Sequence, residues 1–454
     1  MATRTARIAS KPAVAVPVAS GVGQLWPWGL LTCGMALGYL LFGRTFAYFG
    51  LPMVSAQLPP IFIGEIVLLS FLFLKPEVSW YRALDGLVRP TTLSGVSWGL
   101  YLVAAYGLFT AIRGVFAGYP TTAIAQELVF NVYPFYVLVG LWLGEQHPDL
   151  LSRFIRLLAW ANGIYGILYI GFLNGIVASL PGAPIDIRLF GKPWGQAIAV
   201  LGLLALDKNL RKNWIPFTLN AAVVLGSQTR AHWAGLLLAL PLWGLMTRRF
   251  GKLVIVAGSF IVLLLIGYVT DFTVPSVTGV NYSARDILAG AVAPFDEQLA
   301  AQYSESARHF AGTVDWRKDW WQGIWDESTQ DLTTFAVGHG YGFQLTSTAD
   351  LGSSDPSLRT PHNVFFFALG YGGWLGVLTY AFLLIALARL LWRAYKRSGQ
   401  AFGVPFLALC VGIACFTNFM ETPFAAIPCY VIAGMAAAPA LRGYRDRLGA
   451  APEA

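Results

Sequence analysis

Long apolar runs recur along the 454-residue chain, and most of them approach the 20 or so residues that a helix needs to cross a bilayer. A strand-like alternation of period two is absent from these runs. Hydrocarbon offers the backbone no hydrogen-bond partner, so a spanning segment must be helical. We therefore predict an all-α polytopic membrane protein with about 12 transmembrane helices. The predicted spans are residues 26–43, 58–74, 93–111, 128–143, 155–177, 193–206, 213–229, 232–247, 253–270, 361–388, 402–420 and 424–441.

Composition excludes an ordinary soluble enzyme. The chain is 56% hydrophobic and 12% charged, whereas a typical soluble domain carries about 25% charged residues. One aqueous core could not hide so much apolar surface. A net charge of +8 would suggest nucleic acid only if the basic residues clustered on a soluble surface, and they do not. We expect membrane lipid around the protein and no nucleic-acid partner.

The basic residues give the predicted spans an orientation. With the N-terminus in the cytoplasm, 21 of the 31 Lys and Arg residues fall on the cytoplasmic side, as the positive-inside rule requires. Both termini are then cytoplasmic. The predicted organisation is a disordered tail (1–24), spans one to nine (25–270), a long extracytoplasmic segment (271–360), spans ten to twelve (361–441) and a second tail (442–454).

Segment 271–360 has the composition of a cap outside the membrane. It holds twelve acidic and five basic residues in a basic protein, and it concentrates tryptophans in the stretch GTVDWRKDWWQGIWDES at 312–328. Residues 283–330 are predicted to be mainly helical. One interpretation is an amphipathic helix lying at the headgroup level. The other is a cap over a functional site, which we favour because loops of this length are seldom idle.

Five basic residues lie in short loops on the predicted outer side, against the charge rule. They are Arg44, Arg113, Arg188, Lys192 and Arg230. Each could pair with a nearby carboxylate or a lipid phosphate, and the candidate carboxylates are Glu65, Glu127, Asp186 and Glu421. For the set as a whole we favour a diphosphate site, because the planar guanidinium fork binds phosphate bidentately.

His362 stands apart from the other four histidines because it lies where the long segment enters a span, in RTPHNVFFFALGYGGWLG at 359–376. The pattern predicts that Pro361 and His362 occupy the first turn of that helix. The positive end of the helix dipole would there favour a neutral imidazole that can accept a proton. The alternative is a histidine that only caps the helix.

Several segments resemble the bacterial O-antigen ligase and O-antigen polymerase superfamily. VLGSQTRAHWAGLLLAL at 224–240 is similar to its Ser-x-x-Arg span, and DIRLFGKPWGQAIA at 186–199 resembles its Arg-x-x-Gly segment. TVDWRKDWW followed by FAVGHGYGF resembles its Arg-to-Trp helix and Gly-x-Gly turn. RTPHNVFFFALGYGGWLGVL is similar to its His-Asn segment. These patches cover roughly residues 186–380, while the first six spans match only in hydropathy.

The resemblance implies a membrane glycosyltransferase of the bacterial inner membrane, with its site on the extracytoplasmic side. The donor would be a glycan on a polyprenyl (undecaprenyl) diphosphate carrier. The acceptor would be lipid A core for a ligase, or a second lipid-linked glycan for a polymerase. Arg188 and Arg230 would bind the diphosphate, joined by Arg44, Arg113 and Lys192, and His362 would be catalytic. Possible supporting residues are Arg317, Asn363, Glu65 and Glu421.

The residues themselves agree with diphosphate chemistry. Preorganised arginines can neutralise the charge that develops on the leaving diphosphate. No Asp-x-Asp or His/Asp cluster with ligand spacing occurs on the predicted outer side, so we predict metal independence and no cofactor. His362 is the best candidate base, with Glu65, Asp186 and Glu421 behind it. Alternatively, His362 hydrogen-bonds the diphosphate or the acceptor without taking a proton.

Two other classes of protein stay open at this point. A transporter or flippase of lipid-linked oligosaccharide would also have twelve spans and basic residues. Transporters usually carry polar residues and broken helices at the midplane, whereas the ionisable residues here gather at one face. A non-catalytic scaffold would leave the outward arginines and His362 unexplained.

Overall fold

The computed structural model describes residues 22–49, 61–174, 176–178, 187–206, 210–227, 229–275, 281–293, 296–304, 307–349 and 360–441. Helices dominate these residues, as the apolar runs predict. Up to residue 275 they are α1 (Val22–Phe49), α2 (Ile63–Leu74), α3 (Trp80–Val88), α4 (Ser94–Phe116), α5 (Thr121–Leu128), α6 (Tyr136–Gln146), α7 (Leu150–Leu168), α8 (Gln196–Leu206), α9 (Trp214–Gly226), α10 (Arg230–Thr247) and α11 (Phe250–Val269). Beyond it they are α12 (Ala284–Val292), α13 (Glu297–Ala301), α14 (Ala307–Ser328), α15 (Leu332–Val337), α16 (Val364–Ser398), α17 (Gly403–Ala414) and α18 (Pro423–Ala437).

Short elements complete the described part. Two antiparallel ladders join β1 (Val177–Ala178) to β2 (Ile187–Arg188) and β3 (Val274–Pro275) to β4 (Asn281–Tyr282), with Val177 opposite Arg188 and Val274 opposite Tyr282. A π-helical turn extends α7 over Tyr169–Leu173. Single 3-10 turns lie at Val129–Asn131, Tyr133–Phe135, Leu210–Asn213 and Leu345–Ala349.

Each of the twelve predicted spans coincides with a helix, but the helices differ in their fitness to cross a bilayer. Seven helical stretches among the described residues are long and apolar enough: α1, α4, α5 through α6, α7, α11, α16 and α18. Helices α2, α8 and α17 are apolar but shorter. A polytopic all-α membrane protein is therefore confirmed, while the number of twelve crossings stays a prediction.

Burial separates central from peripheral helices. About 89% of the apolar window of α18 is buried against α6, α1 and their neighbours. In α11 the buried share is 6%, although its mean hydropathy of 2.4 is the highest of the seven. A helix that is apolar all round and unburied by protein is stable only against lipid. Helix α18 therefore forms the core of the bundle and α11 lies at its lipid-facing periphery.

Part of the predicted cap packs deep against the bundle. The turn of residues 338–342 follows α15 and bonds to a break in α16, where the His339 and Gly340 amides donate to the Gly370 and Tyr371 carbonyls at 3.0 and 2.9 Å. Gly338 and Gly373 both have positive φ, at 66° and 60°. A Cβ on Gly338 would lie 2.5 Å from the Gly373 nitrogen. Only glycine allows this backbone conformation together with so close an approach.

Arg113 and Glu127 hold the other side of this turn. The Arg113 guanidinium donates to the Val337 carbonyl and, at 2.9 Å, to the Gly338 carbonyl. The Glu127 carboxylate accepts from the Gly342 amide at 2.6 Å and from the Tyr371 hydroxyl at 2.8 Å. Irregular backbone beside spanning helices needs such partners, because lipid supplies none. Arg113 is therefore part of the fold of the turn, and its predicted role at the donor stays a prediction.

We expect Arg113→Ala to lower the midpoint of thermal unfolding of the protein in detergent. The substitution removes the charged donor from two carbonyls, and hydrogen bonds to charged groups contribute about 1.5–3 kcal/mol each. Arg153→Ala is the matched control, since Arg153 is 73% exposed and lies 3.9 Å from Asp149. Equal midpoints for the two variants would contradict the assignment of Arg113 to the fold.

Candidate active site

His362 precedes α16 and does not lie in its first turn. Asn363 is the N-cap, and its Oδ1 accepts from the Phe365 and Phe366 amides at 2.9 and 3.4 Å. The prediction that Pro361 and His362 occupy the first turn is therefore wrong, because the asparagine side chain starts the helix. His362 has a φ of 52°. Positive φ is uncommon outside glycine, and such strain gathers at functional sites.

Helix α14 lies over this junction and covers it with tryptophans. Trp321 donates from Nε1 to the Pro361 carbonyl at 2.7 Å and stacks on Phe366 at 5.4 Å between ring centroids. Trp316 meets His362 edge to face at 6.2 Å. Trp320 is fully buried. The tryptophan-rich stretch is thus anchored on the entrance to α16, and its role as a cap over a site stays a prediction.

Cationic side chains from two helices meet next to His362. Arg317 on α14 lies 5.1 Å from the Trp316 ring. Its pKa is lowered by burial and then by the positive charge of Arg230 at the start of α10. Burial, with Arg317 second, lowers the pKa of His362 to about 4. Desolvation and like charge both disfavour another cation, so His362 is neutral at physiological pH.

A buried carboxyl lies beside Thr360, in the segment that leads to His362. Glu421, between α17 and α18, is 8% exposed. Burial raises its pKa to about 8, and the Thr360 hydroxyl beside it offsets this only partly. Neither carboxyl oxygen has a partner of hydrogen-bonding geometry among the described residues. Glu421 is therefore largely protonated at neutral pH. It lies beside Thr360, two residues before the candidate base His362.

The loop before α8 contacts the Ser-x-x-Arg turn that carries Arg230. Lys192 donates from Nζ to the Ser227 carbonyl at 3.0 Å. Gln196 Nε2 lies 2.7 Å from Nδ1 of His232 and 3.4 Å from the Ser227 hydroxyl. Sequence reasoning missed Gln196 and His232 as residues near the site. The signal in the sequence was a polar residue in the first turn of each of two apolar helices.

The remaining predicted residues are spread over the molecule. Arg44 is exposed, one residue after the break of α1 at Gly43. Gly43 lies close to the Lys192 carbonyl and the Trp194 side chain, which places Arg44 beside that loop. Glu65 lies on α2, and its carboxylate accepts a hydrogen bond from the Tyr133 hydroxyl at 2.8 Å.

Two further predicted residues, Asp186 and Arg188, lie in the segment of residues 179–188. For Arg188 the structure describes the backbone in β2, and Asp186 lies outside the described residues. The structure thus brings together His362, Arg230 and Arg317, and it places Glu421 beside Thr360, two residues before His362. Lys192 joins them through the Ser227 turn. Within the described ranges no three His, Cys, Asp or Glu residues come together to hold a metal, and metal independence stays a prediction.

The comparison with known families bears on this region. Residues 215–381 match a family model described as O-antigen ligase. This range contains Arg230, Arg317 and His362, together with the turn of residues 338–342. Among curated proteins none matches the chain. Residues 215–381 thus form a domain of the O-antigen ligase family, which confirms the superfamily membership that the sequence motifs indicate.

Proposed function

We propose that the protein is a membrane glycosyltransferase that moves a glycan from a polyprenyl diphosphate carrier to an acceptor hydroxyl in cell-surface polysaccharide biosynthesis. The observation that carries this proposal is the meeting of Arg230, Arg317 and His362 at one junction between the cap and the bundle. The matched family, described as O-antigen ligase, supports a membrane glycan-transfer role, by the ligase or the polymerase reaction.

The paired arginines favour an anionic ligand. Arg230 and Arg317 come from different helices, and each disfavours the charge of the other in a partly buried setting. A diphosphate between them would turn this repulsion into attraction, with the two forks binding its oxygens. Arg188, Lys192 and Arg44 belong to the neighbouring segments and would extend the same site.

The neutral imidazole suits the acceptor side of the reaction. The acceptor hydroxyl oxygen forms a bond to the anomeric carbon while the bond to the carrier diphosphate breaks. The leaving diphosphate keeps the electron pair, and the arginines stabilise its developing charge. The hydroxyl proton passes to a nitrogen of His362. Glu421 is the alternative proton acceptor. It is buried beside Thr360, which belongs to the same segment as His362.

Arg230→Ala should lower the transfer rate by about 10²–10³, as the loss of a preorganised electrostatic donor does elsewhere. Arg230→Lys should recover part of the rate, because lysine keeps the charge without the bidentate fork. The measurement is transfer of glycan from lipid-linked donor extracted from membranes. Arg249→Ala, at an exposed arginine before α11, is the control. Normal transfer by Arg230→Ala would refute the diphosphate assignment, and donor moved across the membrane without being consumed would indicate a flippase.

His362→Asn should abolish turnover while binding of undecaprenyl diphosphate survives. Asparagine tolerates the left-handed backbone of residue 362 but cannot serve as the base. General-base catalysis supplies about 10²–10⁴ of the rate. If binding falls together with turnover, His362 is a ligand-binding residue. If the asparagine variant is active, residue 362 acts only through its backbone conformation.

The pH profile should separate the two candidate bases. His362 must be neutral to accept a proton, and its pKa of about 4 means that activity is lost only as the pH falls through this value. We therefore expect a flat profile between about pH 6 and about pH 9. Glu421 must be ionised to act as a base, so a rise through pH about 8 would be its signature. If that rise occurs and vanishes in Glu421→Gln, the base is Glu421.

A further inference from the structure

The Ser-x-x-Arg motif of residues 227–230 lies at the start of α10, and residues from outside the motif contact its Ser227. Thr229 is the N-cap of α10, yet its side chain makes no capping hydrogen bond. Its hydroxyl donates instead to the Ser227 carbonyl at 3.3 Å. Lys192 donates to the same carbonyl, and the Gln196 amide reaches the Ser227 hydroxyl. The Ser227 carbonyl and hydroxyl are thus contacted by residues of the loop before α8 and of its first turn.

Gln196 and His232 form the most buried part of this arrangement. Both side chains are 0% exposed. Gln196 Nε2 lies 2.7 Å from Nδ1 of His232, and Trp194 closes over the ring edge to face at 5.6 Å. The opposite ring atom, Nε2, is buried and has no hydrogen-bond partner within the described residues. Whichever way the Gln196 amide is turned, Nδ1 is the ring atom that it pairs with.

The position of His232 in α10 connects this pair to Arg230. Successive helical residues are about 100° apart, so residues i and i+2 lie about 200° apart. With His232 fixed toward α8, Arg230 points to the opposite side of the helix. Arg230 is the arginine whose charge lowers the pKa of Arg317 on the cap helix. The His232 amide also donates to the Thr229 carbonyl at 2.8 Å, so the backbone of His232 belongs to the first turn of the helix.

We propose that Gln196 and His232 are positioning residues that aim Arg230 at the donor diphosphate. They act through the Ser227 turn and through the rotation of the first turn of α10, without touching the substrate. A well-aimed guanidinium loses less freedom on binding, and a displacement of 1 Å at such a group can cost about 10²-fold. This inference rests on the proposed function, because it presumes that Arg230 binds the diphosphate.

Two isosteric substitutions of His232 separate positioning from chemistry. Asparagine places a polar atom near the position of Nδ1, whereas glutamine places one near that of Nε2. We expect His232→Asn to retain the wild-type affinity for undecaprenyl diphosphate. We expect His232→Gln and Gln196→Leu to weaken that affinity by about 10- to 100-fold. In turnover of extracted lipid-linked donor, this loss should appear in KM more than in kcat.

The double variant Gln196→Leu with His232→Gln should bind no more weakly than the worse single variant, because residues that act as one unit are not additive. An active His232→Gln with an inactive His232→Asn would show that Nε2 carries the function, and would overturn the proposal. Wild-type affinity in all variants would also overturn it. So would failure of both His232 variants to accumulate in the membrane, since the role would then be structural. If Arg230→Ala itself keeps full affinity, the diphosphate assignment is what has failed.

Discussion

Two guanidinium groups from distant parts of the chain lie close enough to disfavour each other's charge, and the architecture around the site follows from holding them there. Arg230 starts α10 within the bundle, while Arg317 lies on α14 in the predicted cap. Bringing like charges together in a partly buried place costs free energy. The cap must therefore be anchored by other contacts, which the tryptophans of α14 supply at Pro361 and Phe366.

Burial, joined at His362 by the charge of Arg317, determines the state of the ionisable groups in this region. His362 is neutral because burial and Arg317 both disfavour its protonated form. Glu421 is held protonated by burial, on the segment that precedes α18. A neutral imidazole beside Arg317 and a buried acid beside Thr360 are candidates for proton transfer, while the two arginines are candidates for anion binding. Enzymes commonly reach such a division of roles by tuning pKa values through the environment.

Two helices of the bundle, α1 and α16, are each broken at a glycine with positive φ. At Gly43 and at Gly373 a helix changes direction where another segment approaches its backbone. Near Gly43 that segment is the loop of Lys192, and at Gly373 it is the turn bound by Arg113 and Glu127. Both helices are thus interrupted where another segment packs on them, and backbone amides of that segment bind the carbonyls beside the break: Trp194 binds Leu40, and His339 and Gly340 bind Gly370 and Tyr371.

The sequence by itself determined the helical membrane class and the positions of the apolar helices, and it singled out the junction at His362 as a candidate site. These follow from hydropathy, loop charge and short motifs, which are local properties of the chain. Only the tertiary structure decided that Asn363, and not His362, starts α16, since capping depends on side-chain geometry. It also decided which of the predicted basic residues lie near one another, Arg230 and Arg317. Arg113 was predicted at the donor, yet it binds the carbonyls of residues more than 220 positions away. The Gln196–His232 pair joins two helices 36 positions apart. Such partners depend on how the helices pack, and a one-dimensional pattern carries no information about that.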